Sequence, residues 1–386
     1  MTPSSASGLA VTIAVVQFFF ATTWTLYVLY LPQLAAQAGI GKQWIPWILV
    51  ADQVVFAVMD VLTGFWVDRV RRGLARYGLW ILAATVVSGA AFIALPFAGA
   101  NAALLLAAVF VWAVTSSALR SPPWALLSQH AATPSLPWLS AIVLAGSAIA
   151  AAAAPYLGLA LKGVEPRLPF IVSTVTLIAT VAALIAAEKG FKVAAPVEEK
   201  PVVEPAPLLL FLALLFMAIG FQVHFALNSA PQYLRLAGAA DLPYLMPVFW
   251  IGFNLVMFPA TLLVKRLGAA PAMALSAAAG ALAILGSALA GGLPSLVAAQ
   301  FAAGGCWGAA SVAAYTAAVG YGRTGREGRF LGTLFAVLAL AAFVRIGAYA
   351  SDLVTAPQVK ALLPWIPQAA WLAAALILSV RFFRRA

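Results

Sequence analysis

Apolar runs of about 20 residues recur from one end of the chain to the other, each long enough to cross a bilayer as a helix. They fall at 8–31, 44–66, 74–97, 102–127, 137–161 and 168–187, and again at 207–227, 245–264, 270–290, 293–319, 330–353 and 361–383. None shows the ten-residue alternation of apolar and polar positions that marks a membrane β-barrel. The pattern predicts an all-α polytopic membrane protein with twelve transmembrane helices. The apolar run that opens the chain has no basic stretch before it and reads as a retained first helix.

Between the sixth and seventh runs the composition changes abruptly. Residues 188–206 hold four glutamates, three lysines and three prolines, and cannot span. The expected organisation is a six-helix bundle at 1–187, a cytoplasmic linker at 188–206 and a second six-helix bundle at 207–386. A weak internal echo supports pseudo-symmetry: at an offset of 195 residues Trp112 and Arg120 match Trp307 and Tyr315, and Arg71 and Gly73 match Arg266 and Gly268.

The mean hydropathy is +1.02, with 64% apolar and 9% charged residues. A net charge of +11 would suggest nucleic acid in a soluble protein. Here the basic residues gather in connections on one side, among them Arg69, Arg72, Lys200, Lys265, Arg326 and Arg385, so they set topology and imply no nucleic-acid partner. The expected location is a bacterial-type inner (plasma) membrane, multi-pass, with both termini cytoplasmic, and the expected assembly is a monomer in the lipid bilayer. Cys306 is the sole cysteine, and His130 and His224 lie far apart, so no disulfide or metal site is expected. Phosphate-loop, zinc-protease and nucleophile-elbow motifs are missing, which argues against ATP-driven pumping and against an enzyme; no cofactor is expected.

The second span ends in Gly64-x-x-x-Asp68-Arg69-x-x-Arg72, which resembles the signature loop of the major facilitator superfamily. The resemblance implies two bundles that alternate access to a central site, with Gly64, Asp68, Arg69 and Arg72 at a cytoplasmic gate where an acid meets helix dipoles and basic residues. Asp60 to Arg69, together with Ser121-Pro122-Pro123-Trp124-Ala125-Leu126, also resembles the sugar and cation symporters of the melibiose permease group. That group places carboxylates on helices two and four around a cation. Here Asp60 keeps the helix-two acid, Val61 replaces a proline, Phe56 and Met59 replace polar ligands, and Arg120 stands at the helix-four acid position. Proton coupling is therefore favoured over sodium.

Counting residues from the span centres puts both Asp60 and Arg120 about 6 to 9 Å toward the cytoplasm from the midplane, close enough to pair. An isolated charge at a helix centre costs about 2.5 to 3.5 kcal/mol, so each needs a partner or water. Asp52, two turns outward, has no basic partner in its own half and is the first candidate proton carrier. Coupling is thus expected at Asp52, Asp60 and Arg120. Arg345, near the middle of the eleventh span, either joins Arg120 in clamping an anion or pairs with Asp352. Further cavity candidates are Gln17, Trp24, Tyr27, Trp124, His224, Asn228, Asn254 and Tyr315.

The expected function is secondary active transport of a small polar or anionic organic solute, such as a sugar or organic acid, coupled to protons. One alternative is a drug or lysolipid exporter of the same fold, faintly suggested by Ala150-x-x-x-Ala154-Pro155 and by the aromatic residues of helix one. An alternative of another class is a non-transporting membrane sensor, which an added cytoplasmic domain would mark.

Overall fold

A computed structural model describes residues 3–70, 74–188, 207–322 and 325–379. Arg72 and linker residues 189–206 lie outside the described residues. The first half contains α1 (Pro3–Gln37), α2 (Ile45–Val70), α3 (Leu74–Ala94), α4 (Ala102–Ser116), α5 (Ser121–His130), α6 (Leu136–Ala160) and α7 (Arg167–Glu188). The second contains α8 (Pro207–Val223), α9 (Ser229–Leu234), α10 (Leu242–Leu245), α11 (Pro247–Leu267), α12 (Ala269–Ala288), α13 (Leu293–Gly322), α14 (Glu327–Ala350), α15 (Pro357–Leu362) and α16 (Ile366–Ser379). Among the described residues eleven helical stretches are long and apolar enough to span a membrane, α16 is a shorter twelfth, and no strand occurs. The protein is a multi-pass, all-α membrane protein.

Three expected rods are interrupted, two of them at prolines. The fourth span breaks between α4 and α5, because Pro122 and Pro123 have no N–H to return to the carbonyls of Ala118 and Leu119. A tight turn at Ser117–Leu119 fills the gap, and Arg120 sits at the break with φ −91° and ψ −78°. The seventh span widens into a π turn at His224–Asn228 and continues as α9. The last span, expected without interruption over 361–383, divides at Leu363–Trp365 around Pro364 into α15 and α16.

The halves meet chiefly where α2 packs on α14 and α6 on α11. Glycine makes the first contact close: a Cβ on Gly64 would run into the carbonyl of Gly328, and one on Gly332 into the carbonyl of Asp60. Within the second half Gly304 faces the backbone of Phe249 on α11, so Gly304-x-x-x-Gly308 is a packing seam. An aromatic cluster of Trp24, Tyr27, Phe56, Phe92, Trp112 and Phe170 fills the first half, above the break in the fourth span.

Candidate functional site

Between the halves lies a cavity of about 390 Å³. The first half contributes Gln17, Phe20 and Trp24 from α1, Gln53 and Phe56 from α2, Trp112 from α4, Arg120 from the break, Trp124 from α5 and Ser147 from α6. The second half contributes Gln222 from α8, Tyr315 from α13 and Phe335 and Arg345 from α14. Among the described residues seven aromatic rings and two guanidinium groups face this space, and no carboxylate lines it.

Arg120 owes its place to the broken span. The prolines free the carbonyl of Leu119, and Gln17 Nε2 donates to it at 2.8 Å, which ties α1 to the break. The Arg120 side chain, 16% exposed, reaches Asp60 with Nη1 3.4 Å from Oδ2. Asp60 is fully buried behind it, and neither of its oxygens takes a hydrogen bond. Two rings hold the guanidinium from opposite halves: its carbon is 5.1 Å from the centroid of Phe56 and 5.3 Å from that of Phe335. Beneath it Trp124 stacks on Tyr315 at 4.3 Å, closing the floor of the cavity with one ring from each half.

Arg345 differs in its company. Its Nε donates to Gln222 Oε1 at 2.7 Å, and no carboxylate pairs with it among the described residues. The expected alternative partner, Asp352, lies beyond the end of α14, exposed and with φ 56°. The pairing with Asp352 is therefore corrected: the chain turns away after Ala350, and an amide from α8 takes the contact. With Nε occupied, Nη1 and Nη2 remain to meet an anion in the fork geometry that guanidinium and carboxylate share.

At the basic end of α2 the halves are clamped shut. Asp68 accepts hydrogen bonds from the backbone N–H of Gly328 at 2.7 Å and of Arg329 at 3.1 Å, capping α14, where the helix dipole favours a negative charge. Arg329 Nε lies 3.3 Å from Asp68 Oδ2, and its guanidinium covers Phe65 at 4.7 Å. Arg69 is exposed.

Other expected cavity residues lie elsewhere. Tyr27 is buried and donates its hydroxyl to Asp52 Oδ2 at 2.6 Å, outside the central cavity. His224 meets Gln300 Oε1 at 3.0 Å inside the second half, Asn228 donates to the carbonyl of Leu363 at 2.8 Å, and Asn254 donates to Trp250 on its own helix. Sequence reasoning did not select Gln53, Trp112 and Phe335. Of these only Trp112 carried a signal, as the repeat mate of Trp307.

The family model for the Major Facilitator Superfamily matches residues 13–344. No curated protein matches the sequence. Among solved structures, the chain is similar to the human organic anion transporter MFSD10 (TETRAN), at 14% identity and TM-score 0.66, covering 99% of each chain. It is also similar to the E. coli fucose:proton symporter, at 14% identity and TM-score 0.69 over 97% of this chain and 98% of that one. A bacterial homologue of the iron transporter ferroportin, in its outward-facing state, aligns at 14% identity and TM-score 0.70 over 98% and 100%. Likeness at such identities establishes the fold alone. The local resemblance to melibiose permease has no counterpart among these findings.

Proposed function

The chain belongs to the major facilitator superfamily, and from that premise we propose that it is a secondary active transporter for a small organic anion with an aromatic or otherwise apolar body. The observation that carries this reading is Arg345, which faces a cavity free of lining carboxylates with only an amide as partner. Asp60 and Arg120 cancel, so the cavity carries one uncompensated positive charge. An arriving carboxylate would neutralise it, while seven rings would hold the apolar remainder. A volume of about 390 Å³ is at the small end of ligand pockets, which favours a compact solute over a lysolipid. The scarcity of unengaged polar groups favours an organic acid over a sugar.

Coupling is assigned to Asp60 and Arg120. Arginine keeps its charge in any protein setting, so only Asp60 of this pair can change protonation. A proton on Asp60 leaves Arg120 unmatched and raises the net charge beside the cavity from one to two, and a substrate carboxylate brings it back to one. One proton and one anion would load together, and the loaded site would carry no more net charge through the bilayer than the empty one. The hydrogen bond between Asp68 and Gly328 ties α2 to α14 at their basic ends, which supports a reading in which that end acts as a gate.

The seven rings also favour a second reading, in which the same cavity exports an aromatic anion. The test of the shared claim is a thermal-shift series on purified protein with one aromatic body carrying a carboxylate, an amide or an amine. Stabilisation by the carboxylate alone supports the reading; stabilisation by the amine, or equally by all three, contradicts it.

A further inference from the structure

A second cavity, of about 340 Å³, opens between α2 and α4 and shares no lining residue with the central one. Among the described residues its lining is aliphatic and aromatic with one ionisable group, Asp52. Trp44, Trp47, Leu106 and Phe110 line its edge and are exposed, as side chains facing hydrocarbon are. The groove is thus a lateral opening toward the membrane, with a carboxylate in its wall.

That carboxylate lacks a counter-charge. Asp52 is 3% exposed. Tyr27 satisfies Oδ2, while Oδ1 takes no hydrogen bond, and no basic side chain pairs with Asp52 among the described residues. From α1 the facing group is Tyr27, α4 presents only apolar groups to the groove, and Lys42, ahead of α2, is exposed. Behind the pair the rings of Trp112 and Trp24 stand 4.7 and 5.6 Å from that of Tyr27 and seal its inner side. Asp52 lies seven residues into α2, about 10 Å down the helix at 1.5 Å per residue. A charged carboxylate at that depth with one hydrogen bond is costly unless a cation joins it.

We propose that this groove is a lateral binding site for an amphiphilic amine that arrives through the bilayer. Its protonated nitrogen would sit against Asp52 and beside the ring faces of Trp47 and Phe110, which attract cations. Its chain would lie along Ile48 and Leu106, back toward the lipid. The chemistry is opposite in sign to that of the central cavity. The arginine-lined cavity selects anions, and the acid-lined groove selects lipophilic cations.

The test uses the full-length protein in phosphatidylcholine nanodiscs and reads the unfolding midpoint with N,N-dimethyldodecylamine, dodecanol or triethylamine added. The amine with the chain should raise the midpoint by several degrees, and the alcohol and the short water-soluble amine should not. Asp52→Asn should abolish the shift. Ala51→Trp, which fills the groove and leaves the carboxylate in place, should abolish it as well, so the site stays testable if Asp52→Asn folds poorly. An equal shift from dodecanol, or a shift that survives both substitutions, overturns the site. A shift from triethylamine as large as that from the long-chain amine overturns the bilayer route.

Discussion

Gln17 Nε2 lies 2.8 Å from the carbonyl oxygen of Leu119, the acceptor that Pro123 leaves without its helical donor. One amide on α1 thus completes the break that aims Arg120 at the cavity. Proline creates the bend and glutamine makes it tolerable inside a membrane, where no water is at hand to satisfy a stray carbonyl.

Replacing that amide should be expensive. Gln17→Leu should destabilise the protein by about 1 to 3 kcal/mol, the usual penalty for a buried acceptor left unpaired. Adding Pro123→Ala returns an N–H to Leu119, so the double variant should unfold at a higher temperature than Gln17→Leu alone. A double variant less stable than the single one would show that the carbonyl is not the source of the loss.

The pair of Asp60 and Arg120 makes a similar double comparison informative. Asp60→Asn should cost about 3 to 5 kcal/mol, because it strands a charge whose partner was fully buried. Joint replacement with Arg120→Gln should be milder in thermal unfolding, although both variants should lose proton-driven accumulation. Equal damage from the single and double changes would contradict the pairing.

At the basic end, Gly64→Ala should force α2 and α14 apart, since its Cβ would meet the carbonyl of Gly328. Pulsed electron paramagnetic resonance between labels on the two helices should report longer distances, with slower transport. Asp68→Asn should move the same distances less, because an amide oxygen still accepts one backbone N–H but brings no charge to the start of α14. Unchanged distances in Gly64→Ala would mean that the close approach does not hold the gate.

Much of this was legible in the sequence. Runs of about 20 apolar residues declare spans because length and hydropathy are local properties. The contact surface of Gly64 and Asp68 was legible because the two have fixed spacing on one helix, and the pairing of Asp60 with Arg120 followed from their equal depth. Partners that depend on how two helices rotate against each other were not legible. Distance along one helix offers Asp352 as one of two alternatives for Arg345, yet α14 ends at Ala350 and Gln222 of α8 supplies the contact. Tyr27 was assigned to the cavity as a polar tip, whereas the register of α1 against α2 turns it toward Asp52. The prolines at 122 and 123 were visible, but the consequence of the break depended on Gln17, more than 100 residues away.

Arg345 carries the central claim, and counterflow in proteoliposomes addresses it most directly. Vesicles preloaded with an unlabelled aromatic carboxylate should exchange it for the labelled form through the wild-type protein. Arg345→Gln should reduce that exchange at least tenfold, a loss of about 1.4 kcal/mol or more in binding, while Arg345→Lys should restore part of it. Exchange that proceeds at the wild-type rate in Arg345→Gln, or that prefers the matching amine to the carboxylate, would contradict the account.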